Sequence, residues 1–135
     1  MSQENVDVAC RAWEAAANEP LDWSVVADLY HPQHVLESQW GGVNNTAYRG
    51  AHGYQEFLAD LRETWDNWQQ QLDEVIDTGG DSVVVAARLV AKGKQSATPV
   101  NQTYGVVFTL DEGRIVRTQA FLTVEEALEA VGLSE

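Results

Sequence analysis

Basic residues are scarce in this chain. Eight Lys and Arg stand against 21 Asp and Glu, a formal net charge of -13 over 135 residues. A field of that sign repels phosphate backbones and anionic lipid surfaces, so neither nucleic acid nor a membrane is expected as a partner. Cysteine is reduced to Cys10, which excludes an intrachain disulfide and a cysteine-built zinc site. Cys10 falls on the apolar side of a predicted helix and reads as an inert core residue. The three histidines have no metal-ligand spacing and no His-Glu-x-x-His pattern exists, so no metal or other cofactor is expected. No apolar run approaches the ~20 residues that span a bilayer. Met1–Cys10 lacks a basic segment followed by an apolar one, so a secretory signal is not expected and the location is taken as cytoplasmic. Repeats and low-complexity tracts are missing too. Apolar content of 44% and charged content of 21% fit one globular domain over residues 1–135.

What is present is a strong helical pattern in the middle of the chain. Tyr54, Phe57, Leu58, Leu61, Trp65 and Trp68 recur at helical spacing, predicting one long amphipathic helix from about Gly50 to Trp68. So aromatic a stripe needs a broad partner, and the strands that follow supply it. Upstream, Val6, Ala9, Cys10, Trp13, Ala16 and Ala17 predict a helix over 4–17, stopped at Asn18-Glu19-Pro20. Asp22 caps a second helix over 23–30, which His31-Pro32 ends. Val35 to Trp40 alternates as a short strand, and Gly41 to Thr46 reads as a loop. Beyond the long helix the period becomes that of strands, over 70–78, 82–92, 100–110 and 114–122. Gly79-Gly80-Asp81 and Asp111-Glu112-Gly113 mark hairpins. Thr123 with Glu126 forms a capping box for a last short helix, and Gly132 suits its end. Helices first and then strands on short turns imply an α+β fold: a strongly curved antiparallel sheet around a long helix, forming a cone.

The element order carries a further likeness. Tyr48-Arg49-Gly50 opening the long helix, the Leu29-Tyr30-His31-Pro32 junction, and Gly113 to Phe121 followed by Glu126-Ala127-Leu128 resemble the SnoaL-like branch of the nuclear transport factor 2-like superfamily. The resemblance covers Val6 to Leu133. It implies a cone-shaped barrel with a deep apolar pocket, commonly a homodimer through the open sheet face. Members include polyketide cyclases, ketosteroid isomerases, dehydratases and epoxide hydrolases.

Residue by residue, the family chemistries fit unevenly. Isomerase-type proton abstraction needs a Tyr where this chain has Trp13, a base where it has Ser38 and an acid near Gly105. Dehydratase histidines have no counterpart in the four later strands. Arg88 could mimic the arginine of the epoxide hydrolases, but no interior Asp accompanies it. A sheet-face ion pair with Asp73 or Glu74 is the favoured account. For cyclase-type acid–base work the candidates are Glu37, if its strand is bulged inward, His34 and Asp60. Against His34 stands the commoner fate of a His beside a Pro turn, which is to face solvent. His52 reads as a surface residue.

Gln102, Thr103, Tyr104, Thr109, Thr118 and Gln119 suit hydrogen bonding to a ligand, with strand parity deciding which face inward. Likeness to the family puts Thr103, Gly105, Val107, Thr118, Ala120 and Leu122 inward. The expected pocket is lined by Trp13, Tyr30, Trp40, Tyr54, Trp65, Trp68, Thr103, Tyr104 and Thr118, although core packing alone also accounts for most of these aromatics. Three functions stay open: a pocket protein for a small apolar molecule of polyketide, steroid or terpene type; a cyclase- or isomerase-type enzyme using Glu37 or His34; and an interaction module docking through its sheet.

Overall fold

A computed structural model describes residues 2–17, 21–38, 47–93 and 99–133. Helix α1 (Ser2–Ala16) buries Ala9, Ala12, Trp13, Ala15 and Ala16. The near-absence of bulk on that face lets α1 lie close to the sheet, with Trp13 as its one large side chain. Helix α2 (Trp23–Leu29) is capped by Asp22, whose carboxylate accepts from the Val25 amide. The Ser24 hydroxyl donates to the same carboxylate at 2.7 Å, and these bonds hold the Asp22 pKa below its usual range.

Strand β1 (Tyr30–Ser38) begins five residues before the predicted Val35. Pro32 does not end the chain's regular structure there but sits within the strand. Lacking an N–H, it leaves a break in the ladder, and the pairing with β6 shifts between Tyr30 and Val35. The extended lead-in to the long helix forms a three-residue strand β2 (Ala47–Arg49), which pairs with β1. The predicted loop at Gly41–Thr46, the stop at Asn18-Glu19-Pro20 and the pocket residue Trp40 lie outside the described residues.

Helix α3 (Gly50–Thr64) is shorter than expected, because Trp65 and Trp68 belong to strand β3 (Trp65–Asp77). The misreading has a physical origin. The pairing of β3 with β4 (Ser82–Gly93) shifts between Asp66 and Gln69, so β3 carries one extra residue there. That bulge turns Trp65 and Trp68, three apart, to the same side of the sheet and imitates a helical period. A second shift between Leu72 and Glu74 adds Asp73, and the two bulges together bend β3.

Strands β5 (Pro99–Asp111) and β6 (Arg114–Phe121) complete a six-stranded sheet in the order β2-β1-β6-β5-β4-β3. The sheet is mixed rather than wholly antiparallel, since β1 runs parallel to β6. The later strands are antiparallel meanders, which short turns allow; β1 reaches β6 only through long-range packing, which no local pattern encodes. Positive φ at Glu112 and Gly113 closes the β5–β6 hairpin.

Helix α4 (Val124–Ala130) covers the outer face, where Val84, Val107 and Ala127 form a small core. Gly105 permits that contact: a Cβ there would stand 2.7 Å from the Ala127 Cβ and 2.9 Å from the Val124 Cα. The Thr123 oxygen accepts from the Glu126 amide at 3.1 Å, while its hydroxyl donates to the Glu126 carboxylate at 3.2 Å. The cap is thus a side-chain pair rather than the reciprocal amide exchange of the full box.

Candidate functional site

The concave side of the sheet, α1 and α3 enclose a cavity of about 70 Å³. Helix α1 contributes Ala12, Trp13 and Ala16, with Ala17 just beyond its end, and α3 contributes Tyr54 and Phe57. The sheet adds Tyr30 and Leu36 from β1, Trp65, Trp68 and Gln70 from β3, and Leu89 from β4. Tyr104, Val106 and Phe108 from β5 and Thr118 and Ala120 from β6 finish the wall. Among the described residues, no side chain on that wall carries a formal charge.

A wider vestibule of about 320 Å³ opens beside it, lined by Trp23, Val26, Ala27, His31, Pro32, His34 and Gly50. Tyr30 and Tyr54 belong to both spaces. Their rings stack with centroids 6.1 Å apart, and Tyr54 stacks again on Phe57 at 6.2 Å. Trp23 meets the Tyr54 ring edge-on at 6.1 Å. The partition between the two spaces is therefore a pair of aromatic plates.

The polar atoms of the cavity wall mostly have protein partners. The Tyr54 hydroxyl donates to the Ala16 carbonyl at 2.6 Å, and Gln70 Nε2 donates to the Ala17 carbonyl at 2.7 Å. Both carbonyls lie at the C-terminal end of α1, where the helix itself leaves acceptors over. The Tyr104 hydroxyl donates to Gln70 Oε1. Burial pushes the phenols of Tyr30, Tyr54 and Tyr104 well above the ordinary range, so all three are un-ionised donors.

His34 is the titratable group with most chemical interest. It is only 3% exposed, and its Nε2 lies 2.7 Å from Thr118 Oγ1. Its ring meets Tyr30 edge-on at 4.8 Å. Burial lowers its pKa to about 4, so the imidazole is neutral at physiological pH. His34 does not face solvent; strand alternation puts it on the same side of β1 as Tyr30 and Leu36.

The other candidates scatter. Trp13, Tyr30, Tyr54, Trp65, Trp68, Tyr104 and Thr118 come together on the cavity wall. Thr103 does not: it is exposed on the outer face, opposite Arg88. The parity expected for β5 is reversed, with Tyr104, Val106 and Phe108 inward and Gly105 and Val107 under α4. Because α4 makes both faces of β5 apolar, alternation could not fix the parity. Ala120 faces inward as expected, but Leu122, beyond the end of β6, is 39% exposed.

Glu37 faces away from the cavity and binds Arg117, with Oε1 at 2.6 Å from Nη2 and 2.9 Å from Nε. Its strand is irregular only before Val35, so the inward bulge that Glu37 would need is missing. Asp60 accepts from the Tyr48 hydroxyl at 2.6 Å and lies off the cavity wall. Arg88 pairs with Asp73 at 3.3 Å. His52 stands at the surface beside Glu56, and Cys10 is half-buried with its thiol pKa raised by that burial.

Gln70, Val106 and Phe108 were missed as wall residues. Gln70 lies two residues from Trp68, and Val106 and Phe108 lie two and four from Tyr104, so strand alternation held the signal once parity was known. Among the described residues, no three His, Cys, Asp or Glu side chains gather in a way that could hold a metal ion, and no helix is long and apolar enough to cross a membrane.

No curated protein matches the chain. Among solved structures, a putative SnoaL-like polyketide cyclase from Jannaschia sp. CCS1 is similar, with a TM-score of 0.73 at 21% identity over 98% of this chain and 94% of that one. TerC co-crystallised with polyporic acid gives 0.73 at 17% identity, over 96% of this chain and 98% of that one. A protein with a ketosteroid isomerase-like fold from Catenulispora acidiphila, in complex with trimethylamine, gives 0.70 at 13% identity, covering 94% and 93%. The SnoaL-like domain family matches residues 10–118, most of the chain. The chain belongs to the SnoaL-like domain family and has its cone-shaped, nuclear transport factor 2-like fold.

Proposed function

We propose that the cone cavity binds a small, neutral, largely apolar molecule of polyketide, steroid or terpene type. One observation carries the reading: among the described residues the cavity wall is mostly aromatic and aliphatic, without a formal charge, and its phenols are un-ionised. A charged ligand would be desolvated there with no counter-charge, whereas a flat apolar one would exchange water for aromatic contact. TerC, of like fold, was crystallised with an organic small molecule, which agrees with this use of the scaffold. A homodimer through the outer sheet face belongs to the same reading.

Trp13, Trp65 and Trp68 line the cavity and Trp23 the vestibule, so intrinsic tryptophan fluorescence reports occupancy. Titration with neutral polycyclic probes should quench it saturably. An Ala120→Phe variant, which fills the cavity, should abolish the response. Linear, unsaturable quenching that is the same in both proteins would refute the proposal.

A second reading rests on His34. A buried, neutral imidazole bordering the vestibule and bonded to Thr118 supports a role in cyclase- or isomerase-type proton transfer, as a weak base whose pKa burial has lowered. It predicts that His34→Gln removes turnover of an identified substrate while leaving its binding intact. Turnover that survives the substitution would exclude it.

A further inference from the structure

The cone encloses about 70 Å³. A cavity that holds benzene measures about 150 Å³, so a fused-ring ligand overfills the cone. The adjoining vestibule adds about 320 Å³, and Tyr30 and Tyr54 line both spaces. A polycyclic ligand with its apolar body in the cone therefore extends past these rings into the vestibule.

The vestibule wall differs in chemistry from the cone. Its hydrogen-bonding side chains are Trp23, Tyr30, His31, His34 and Tyr54, and among the described residues no carboxylate joins them. His34 Nε2 is taken by Thr118 Oγ1, at 2.7 Å. The buried Thr118 hydroxyl has no other partner among the described residues, so it donates to Nε2, and the neutral ring carries its proton on Nδ1. Nδ1 has no partner among those residues. It is not sealed either, since the one buried side-chain nitrogen or oxygen among them that lacks a bond is Trp65 Nε1. The His34 Nδ1–H is thus an open donor, and the space that His34 lines is the vestibule. His31 adds another at the half-buried rim: its Nδ1 accepts from the Gln33 amide at 3.0 Å, which leaves a proton on Nε2.

Building on the ligand-binding reading above, we infer that the vestibule is the polar end of the same site: it receives the carbonyl end of a ketone or quinone, with His34 Nδ1–H as the donor, while the apolar body lies in the cone. A neutral carbonyl needs only a donor. A carboxylate would meet the field of a chain of net charge -13, and a cation would face N–H dipoles on a wall with no described carboxylate. His34 binds here, and no proton moves.

The test uses 1-tetralone and tetralin, which share a bicyclic frame and differ in one carbonyl. Calorimetry gives the affinities, and ¹⁵N spectra of the imidazoles resolve His31 from His34. The wild-type protein should bind 1-tetralone about 3- to 10-fold more tightly than tetralin, the range of one net neutral hydrogen bond. The His34 Nδ1 resonance should move with 1-tetralone and stay in place with tetralin. His34→Phe should remove the preference. Ala120→Phe, which fills the cone, should lose both probes. Because the resonance is read on the wild-type protein, a poorly folded variant does not decide the outcome. Equal affinities, an unmoved His34 resonance, or a preference that survives His34→Phe would overturn the polar end and leave the cone reading standing. Failure of both probes to bind the wild-type protein, or unchanged binding in Ala120→Phe, would overturn the cone reading and this one with it.

Discussion

Acidification should weaken this fold through one residue, His34. Its folded pKa is about 4 against an ordinary value of 6.5, because burial disfavours the charged imidazole. Between those two values the unfolded chain binds a proton that the folded chain refuses. His34 therefore leaves stability intact above about pH 6.5 and removes it progressively as pH falls toward 4. From about pH 7.5 to about pH 5 the loss amounts to about 2 kcal/mol. At 3% exposure, solvent does little to screen the effect. The window stops short of the isoelectric region near 4.4, where a chain this acidic would precipitate. Urea unfolding at four pH values, for the wild-type protein and His34→Gln, isolates the term from the many carboxylates that titrate lower. The neutral amide can keep a hydrogen bond to Thr118 without a titration of its own. The difference between the two proteins should change by about 2 kcal/mol across the window, the wild type losing more. Parallel curves would refute the placement of His34 as a buried, neutral group.

Other consequences follow from the same packing. Gly105→Ala should cost about 1–3 kcal/mol in urea unfolding, since its Cβ would meet Ala127 and backbone atoms of α4 at 2.7 to 3.0 Å; a change below about 0.5 kcal/mol would show that α4 does not seat there. The four tyrosines all have raised phenol pKa values, Tyr48 to about 12 through burial and its bond to Asp60, and Tyr30, Tyr54 and Tyr104 further still. Their contribution to stability is full below about pH 10 and lost above it. Absorbance at alkaline pH should thus show little ionisation near 10 and a cooperative step on unfolding, where independent titration near 10 would contradict the burial. Glu37→Gln should change stability by less than about 1 kcal/mol, because its partner Arg117 is half-exposed, and should leave ligand binding unaltered; a large loss of binding would return Glu37 to the site.

The elements were legible wherever local chemistry marked their ends. Asp22, Thr123 and the Glu112-Gly113 turn state their roles in the residues themselves. The misplacements share a cause: bulges, whose existence depends on a neighbouring strand. One at Asp66–Gln69 gave Trp65 and Trp68 a helical spacing, and the break at Pro32 hid the start of β1. The wall was legible as aromatic content, because large flat side chains have few other places to go. Which face of β5 was inward was not, since α4 packs on the other face and erases the alternation. The partnership of His34 with Thr118 spans 84 positions and leaves no trace in spacing.

Native mass spectrometry of the protein purified from its own host tests the occupancy of the cone most directly. The account predicts a complex with one neutral organic molecule per chain, lost from Ala120→Phe. A bare chain mass in both proteins, unchanged by added apolar probes, would contradict it.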